Sequence, residues 1–124
     1  MDQLKNIIDT LMGPDGCPWD RKQTFESLRS GLREEVEEVI AAVEGQDHDN
    51  LKEELGDVLM ILFLYAGIAE KRNLFTLNDV VKGTCEKLIH RHPHVFGEEK
   101  AATAEEALAI WRRQKGVAKK AKIA

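Results

Sequence analysis

Residues 34 to 57, Glu34-Glu35-Val36-Glu37-Glu38-Val39-Ile40-Ala41-Ala42-Val43-Glu44-Gly45-Gln46-Asp47-His48-Asp49-Asn50-Leu51-Lys52-Glu53-Glu54-Leu55-Gly56-Asp57, decide how the chain folds. Gly45 followed by Gln46 to Asn50 reads as a helix stop, a short connection and a new N-cap. The flanking residues therefore form two helices in an antiparallel hairpin. Within those helices Glu34 and Glu38 stand at i,i+4, Glu35 and Glu38 at i,i+3, and Glu54 and Asp57 at i,i+3, so each group projects together. At a rise of about 1.5 Å per residue, Glu38 lies about 10 Å before the bend and Asp57 about 10 Å after it. Both groups sit at one level.

These acids border apolar stripes. Glu35 falls at the edge of the stripe made by Leu28, Leu32, Val39 and Val43, with Glu38 and Glu34 further round, and Asp57 lies inside the stripe of Ile61, Leu64 and Ile68. Burying several like charges between helices is unfavourable, because carboxylates repel and desolvation favours their neutral forms. A hard divalent cation with oxygen ligands, Mg²⁺ or Mn²⁺, removes that objection. On stripe geometry Glu35, Glu38 and Asp57 are candidate metal ligands, while Glu37, Glu44 and Glu53 are assigned to solvent.

Outward from the hairpin, Thr24 is the expected N-cap of the first long helix, which runs to about Glu44. The second is expected from near Asn50, which has capping-box spacing with Glu53, to about Arg72. Its segment Val58 to Ala69 is apolar all round, so it must lie central in a bundle or also face a second subunit. The expectation is both: a helical bundle that forms a homodimer or a higher oligomer. About a dozen apolar residues fall short of the roughly 20 needed to span a bilayer, so no membrane span is expected.

Residues 2 to 12 carry Leu4, Ile7, Ile8 and Leu11 at helical spacing. Gly13 to Gln23 then read as an ordered loop holding Cys17, Trp19 and Asp20. Trp19 either stacks on a base or covers the edge of the core. A further helix is expected from Thr76, with Asp79 at N3, to His90 or Arg91, followed by a loop from His92 to Gly97. Thr103 and Glu106 form a capping box for a last helix to about Lys115. The fold class is all-α, a bundle of four or five helices. Residues 1–116 form one domain, and 117–124, with Lys119, Lys120 and Lys122, form a flexible basic tail.

A net charge of −4 on 124 residues argues against general nucleic-acid affinity, which shows as a basic excess. Cys17 and Cys85 have no CxxC spacing, and the pattern opens directly on a helix, so a disulfide framework and secretion are not expected; the expectation is a cytoplasmic protein.

Lys87 and Arg91 stand at i,i+4 near a helix end, with His90, His92 and His94 beside them. Metal plus a Lys/Arg pair suits a polyphosphate, although the same cations could merely complement a helix C-terminus. No Gly-rich phosphate cradle and no GxSxG segment is present, so direct attack by water is the simplest chemistry. Zinc is disfavoured, since His90 and His92 are i,i+2 and no cysteine cluster accompanies them. A di-iron bundle wants Glu-x-x-His pairs, and neither acid group supplies the His.

Four ordered segments carry a resemblance: Gly16-Cys-Pro-Trp-Asp20 with Gln23-Thr24, Glu34-Glu35-Val-Glu-Glu38, Glu54-Leu-Gly-Asp57, and Lys87-Leu-Ile-His-Arg91-His-Pro-His-Val-Phe-Gly97. Together, over about Pro14 to Lys115, they resemble the MazG family of nucleotide pyrophosphohydrolases. The resemblance implies the all-α NTP pyrophosphatase fold, Mg²⁺ dependence and dimerisation, with Mn²⁺ the substitute that hard oxygen ligands allow. It also implies hydrolysis of nucleoside triphosphates to monophosphate and pyrophosphate, by metal-activated water attack on phosphorus. Residue by residue it implies Glu35, Glu38, Glu54 and Asp57 as metal ligands and Glu34 as the acid that orients or deprotonates the water, or holds a further ion. Lys87 and Arg91 become phosphate contacts. Phe25 stands where many relatives have His after QT, Glu37 where an aromatic or Ala is common, and Ile61 where Gln often follows the LGD segment; these departures leave the metal set intact and bear on base selectivity. Many relatives carry two such domains in tandem, against one here. The alternative is a regulatory or scaffolding helical dimer that keeps the fold with weak turnover.

Overall fold

A computed structural model describes the backbone of residues 1–123 and the side chains of residues 1–117. The order is α1 (Asp2–Leu11), α2 (Pro18–Arg21), α3 (Arg29–Glu44), α4 (His48–Lys71), α5 (Leu77–Arg91), α6 (Pro93–Phe96) and α7 (Ala104–Ile123). No strand occurs among the described residues, and the all-α expectation holds. Among the described residues seven helices replace the expected four or five, because two single turns, α2 and α6, occupy segments expected to be loops. In both, a proline sits at the first helical position, where its missing N–H costs nothing and its fixed φ suits a helix. The chain divides into two compact units, Met1–Leu77 and Asn78–Ala124.

In the first unit α3 and α4 pack side by side as the expected hairpin, and α1 packs on α4. The core gathers Ile8 within α1 and Met12 just after it, Leu28 before α3, and Phe63, Leu64 and Ile68 of α4, with Leu4, Leu11, Phe25, Tyr65 and Leu77 at its margin. Gly67 lets α1 approach this closely, since a Cβ there would stand 2.5 Å from Met12 Sδ.

The hairpin's boundaries differ from the expected ones for identifiable reasons. Thr24 Oγ1 accepts from Ser27 N and Ser27 Oγ accepts from Thr24 N, so the cap exists, yet the helix begins only at Arg29. Tyr65 Oη donates to the Phe25 carbonyl at 3.0 Å, while Arg29 N turns to Glu26 O. The carbonyl that would open the helix is thus committed elsewhere. At the bend Gly45 stays right-handed and Gln46 takes the positive φ of 54°. The N-cap of α4 is Asp47, whose carboxylate accepts from Asn50 N at 3.1 Å, and not Asn50.

Burial along α4 is one-sided. Ile61, Phe63, Leu64, Ala66, Ile68 and Ala69 are buried, whereas Leu55, Leu59, Met60 and Leu62 are exposed. On α3, Val36, Ile40 and Val43 are exposed too, so Val43 is no part of the intramolecular stripe, and Ala42 is buried in its place. No helix among the described residues is long and apolar enough to cross a membrane.

In the second unit α6 packs on α7, and Gln114 Nε2 donates to His90 O at 2.9 Å. Thr103 caps α7 by accepting from Glu106 N at 3.2 Å, as expected, while Glu106 reaches back to Ala102 N at 2.8 Å instead of to Thr103 N. The α7 backbone continues past Lys115 to Ile123. Of the segment read as a basic tail, the side chains of Lys119, Lys120 and Lys122, with Ala124, lie outside the described residues.

Candidate active site

The hairpin brings three of the four candidate metal ligands together. Glu35 and Glu38 project from one face of α3 and Glu54 from the facing side of α4, each offering a carboxylate oxygen, and these oxygens lie within 4.8 Å of one another. The register follows from the bend: Glu54 stands as far after the start of α4 as Glu38 stands before the end of α3. Glu54 is 8% exposed, the one charged side chain buried in the described part of the chain, while Glu35 is half-buried and Glu38 exposed.

The electrostatics of this group are those of crowded carboxyl groups that share a proton. Glu54 holds its proton well above the usual carboxylate range, pushed up to about 8, first by its hydrogen bond to Glu38, then by burial, then by its hydrogen bond to Glu35 and the charges of both. Even with those bonds, Glu35 Oε2 and Glu54 Oε2 are buried with no hydrogen-bond partner. A buried acceptor left unpaired is costly, and a hard cation coordinated by oxygen satisfies both atoms at once. The residues present therefore fit a divalent ion.

Asp57 follows Glu54 by one turn on the same face of α4 and is half-buried, but its carboxylate is not among the three that converge. Glu34 is exposed on α3, as are Glu37 and Glu44, and Glu53 is exposed on α4. Sequence reasoning chose Asp57 over Glu54 on stripe position alone. Yet Glu54, Ile61 and Ile68 recur every two turns on one line of the helix, and that spacing marks Glu54 for burial.

The second unit holds the two candidate phosphate contacts, Lys87 and Arg91. Lys87 is exposed on α5. Arg91 is half-buried at the end of α5, its guanidinium 5.4 Å from the Trp111 ring centre, with Nε buried and without a hydrogen-bond partner. Lys115 Nζ lies 5.0 Å from the same ring centre. His94 Nδ1 is a further buried atom without a partner, and the His94 and His92 rings meet at 5.5 Å. Trp111 and Lys115 were missed by sequence reasoning; their i,i+4 spacing on the last helix was the available signal. Trp19 is 57% exposed on α2, so it does not cover the core edge. Phe25, one of the departures from the family pattern, stacks on Tyr65 with centroids 6.0 Å apart.

A family model described as the MazG nucleotide pyrophosphohydrolase domain matches residues 23–96, a span that includes all the acids, Lys87 and Arg91. The chain is 44% identical over 122 residues to the nucleoside triphosphate pyrophosphohydrolase/pyrophosphatase MazG of Thermotoga maritima, covering 98% of this chain and 48% of that protein. It is 40% identical over 116 residues to the nucleoside triphosphate pyrophosphohydrolase of Escherichia coli, covering 93% and 44%. The crystal structure of a MazG-related protein from Thermotoga maritima superposes with a TM-score of 0.78 at 37% identity, covering 94% of this chain and 99% of that one. The chain spans about half the length of these two curated relatives. Fold, acid geometry and sequence thus agree, and the chain belongs to the MazG family of nucleotide pyrophosphohydrolase domains.

Proposed function

We propose that the chain hydrolyses nucleoside triphosphates to monophosphate and pyrophosphate with Mg²⁺, for which Mn²⁺ can substitute, held by Glu35, Glu38, Glu54 and Asp57. The observation that carries this reading is the convergence of three carboxylates from facing helices with two buried oxygens left unpaired. When bound, the ion supplies neutralisation of phosphate charge and activation of water.

The chain's own residues do the rest. Glu54 gives up its proton on loading, which turns the group from a proton-sharing cluster into a set of anionic ligands. Glu34, exposed beside them, orients the attacking water or takes its proton. Lys87 and Arg91 hold phosphate oxygens and the charge that develops on departing pyrophosphate. Lys115 joins them through the Trp111 ring it shares with Arg91, which keeps both cations positioned. Trp19, exposed in its own turn of helix, offers a ring for the base.

The protein acts as a homodimer in this reading, because the exposed apolar rows of α3 and α4 need a cover and a second copy presents the same rows. A panel of NTPs and dNTPs with Mg²⁺, assayed for pyrophosphate, tests the activity. The wild type releases pyrophosphate from at least one of them, and Glu38→Gln and Asp57→Asn fall by about a hundredfold or more. Wild-type silence across the panel, or variants that match it, sinks the assignment.

A further inference from the structure

At the end of α4 remote from the carboxylates, a cavity of about 270 Å³ is lined by Arg21, Lys71 and Arg72 over Met12 and Ile68. Lys71 stands about 25 Å along the helix from Glu54, at roughly 1.5 Å per residue, so the acid cluster makes no use of it. We propose that this cavity is a second anion site that takes the phosphate group of a small organic phosphate. It goes beyond the hydrolytic reading and stands without it.

Three cations face one carboxylate there, that of Glu26. Among the described residues the ion pairs are Lys5–Asp9 and Arg113–Glu99, so none of the three is neutralised by a salt bridge. Two other acids, Asp9 and Glu70, line an adjoining cavity that Lys71 also borders, and both act on Lys5, which Asp9 binds at 2.7 Å. Gathering like charges without counter-ions raises the energy of the free protein, and an anion relieves it.

Two of the cations are already oriented by contacts within the chain. Arg21 Nη1 donates to Pro14 O at 2.7 Å, and the Arg72 guanidinium lies 5.0 Å from the centre of the Phe25 ring, itself stacked on Tyr65. Each contact restricts an otherwise exposed side chain before binding, and guanidinium forks suit phosphate oxygens. Below them Met12 and Ile68, both buried, form an apolar floor that favours a ligand with a carbon skeleton.

The test is an NMR titration of the full, metal-free chain with ribose 5-phosphate, AMP, ribose and adenosine. Saturable shifts at Arg21, Lys71 and Arg72 are expected with the two phosphates and not with their unphosphorylated counterparts. Lys71→Gln and Arg72→Gln each weaken the shifts about tenfold or more, as loss of a charge-assisted hydrogen bond does, while Lys87→Gln leaves them unchanged. Should Arg72→Gln lose its fold with the Phe25 contact, exposed Lys71 still supplies the comparison. Equal response to AMP and adenosine, no saturable shift with either phosphate, or Lys71→Gln binding like the wild type overturns the proposal.

Discussion

Glu54 is the residue in which sequence, structure and chemistry meet. Folding places its carboxyl between Glu38 and Glu35 and lifts its proton affinity to about 8, from an ordinary 4.5. Because the folded state then binds a proton that the unfolded state has released, metal-free stability contributed by Glu54 is full below about 4.5 and lost as pH rises through about 8. Melting followed by circular dichroism in chelator should therefore show a midpoint that falls from pH 5 to pH 8, and a flatter profile in Glu54→Gln. Mg²⁺ must displace that proton, so its binding tightens with pH and releases protons. Calorimetry in buffers of different ionisation enthalpy measures the release; Mg²⁺ uptake without proton release would show that Glu54 is no ligand. At this scale the sequence was partly legible: i,i+3 and i,i+4 spacing found the acids of α3, but wheel position singled out Asp57, and the burial of Glu54 emerges only once the two helices are in register.

At the scale of elements, caps and close approaches set the architecture. Helical periodicity and the Gly45 to Asn50 punctuation were enough to read the hairpin. They could not reveal that Tyr65, far along the chain, claims the Phe25 carbonyl and delays α3, because that hydrogen bond exists only after α4 has packed. Nor does periodicity detect single turns such as α2 and α6, which are too short to show a period. The turn between α1 and α2 depends on Gly16. A Cβ there would overlap the carbonyl oxygens of Leu11 and Thr10, while the next residue, Cys17, donates its N–H to Leu11 O at 2.7 Å. Since the obstacle is backbone, it cannot move aside as a flexible side chain would. Gly16→Ala should cost about 2–4 kcal/mol in urea unfolding, within the range of strained or overpacked sites. Asp47→Ala, which removes only the α4 cap, should cost about 1 kcal/mol.

For the whole molecule the question is what covers the apolar rows of α3 and α4. Val36, Ile40 and Val43 on one helix and Leu55, Leu59 and Leu62 on the other are exposed in the single chain. The uninterrupted apolar run Val58 to Ala69 signalled this in the sequence, since one intramolecular face cannot bury a helix that is apolar all round. A homodimer is the proposed cover. Light scattering at micromolar concentration should give twice the chain mass of 14.0 kDa, and Leu62→Glu should shift the population toward the single-chain mass. A monomeric wild type, or a Leu62→Glu dimer of unchanged strength, would contradict that arrangement.

The central claim, that the carboxylates between α3 and α4 form a metal centre for cleavage of a phosphoanhydride, is tested most directly by product analysis. Wild type and Glu54→Gln, matched in fold by circular dichroism, are incubated with a nucleoside triphosphate that the wild type turns over, in Mg²⁺ and in chelator. The account predicts equimolar monophosphate and pyrophosphate from the wild type with Mg²⁺, no product in chelator, and a loss of about a hundredfold or more in Glu54→Gln. Orthophosphate in place of pyrophosphate, turnover that persists in chelator, or an unimpaired Glu54→Gln would contradict it.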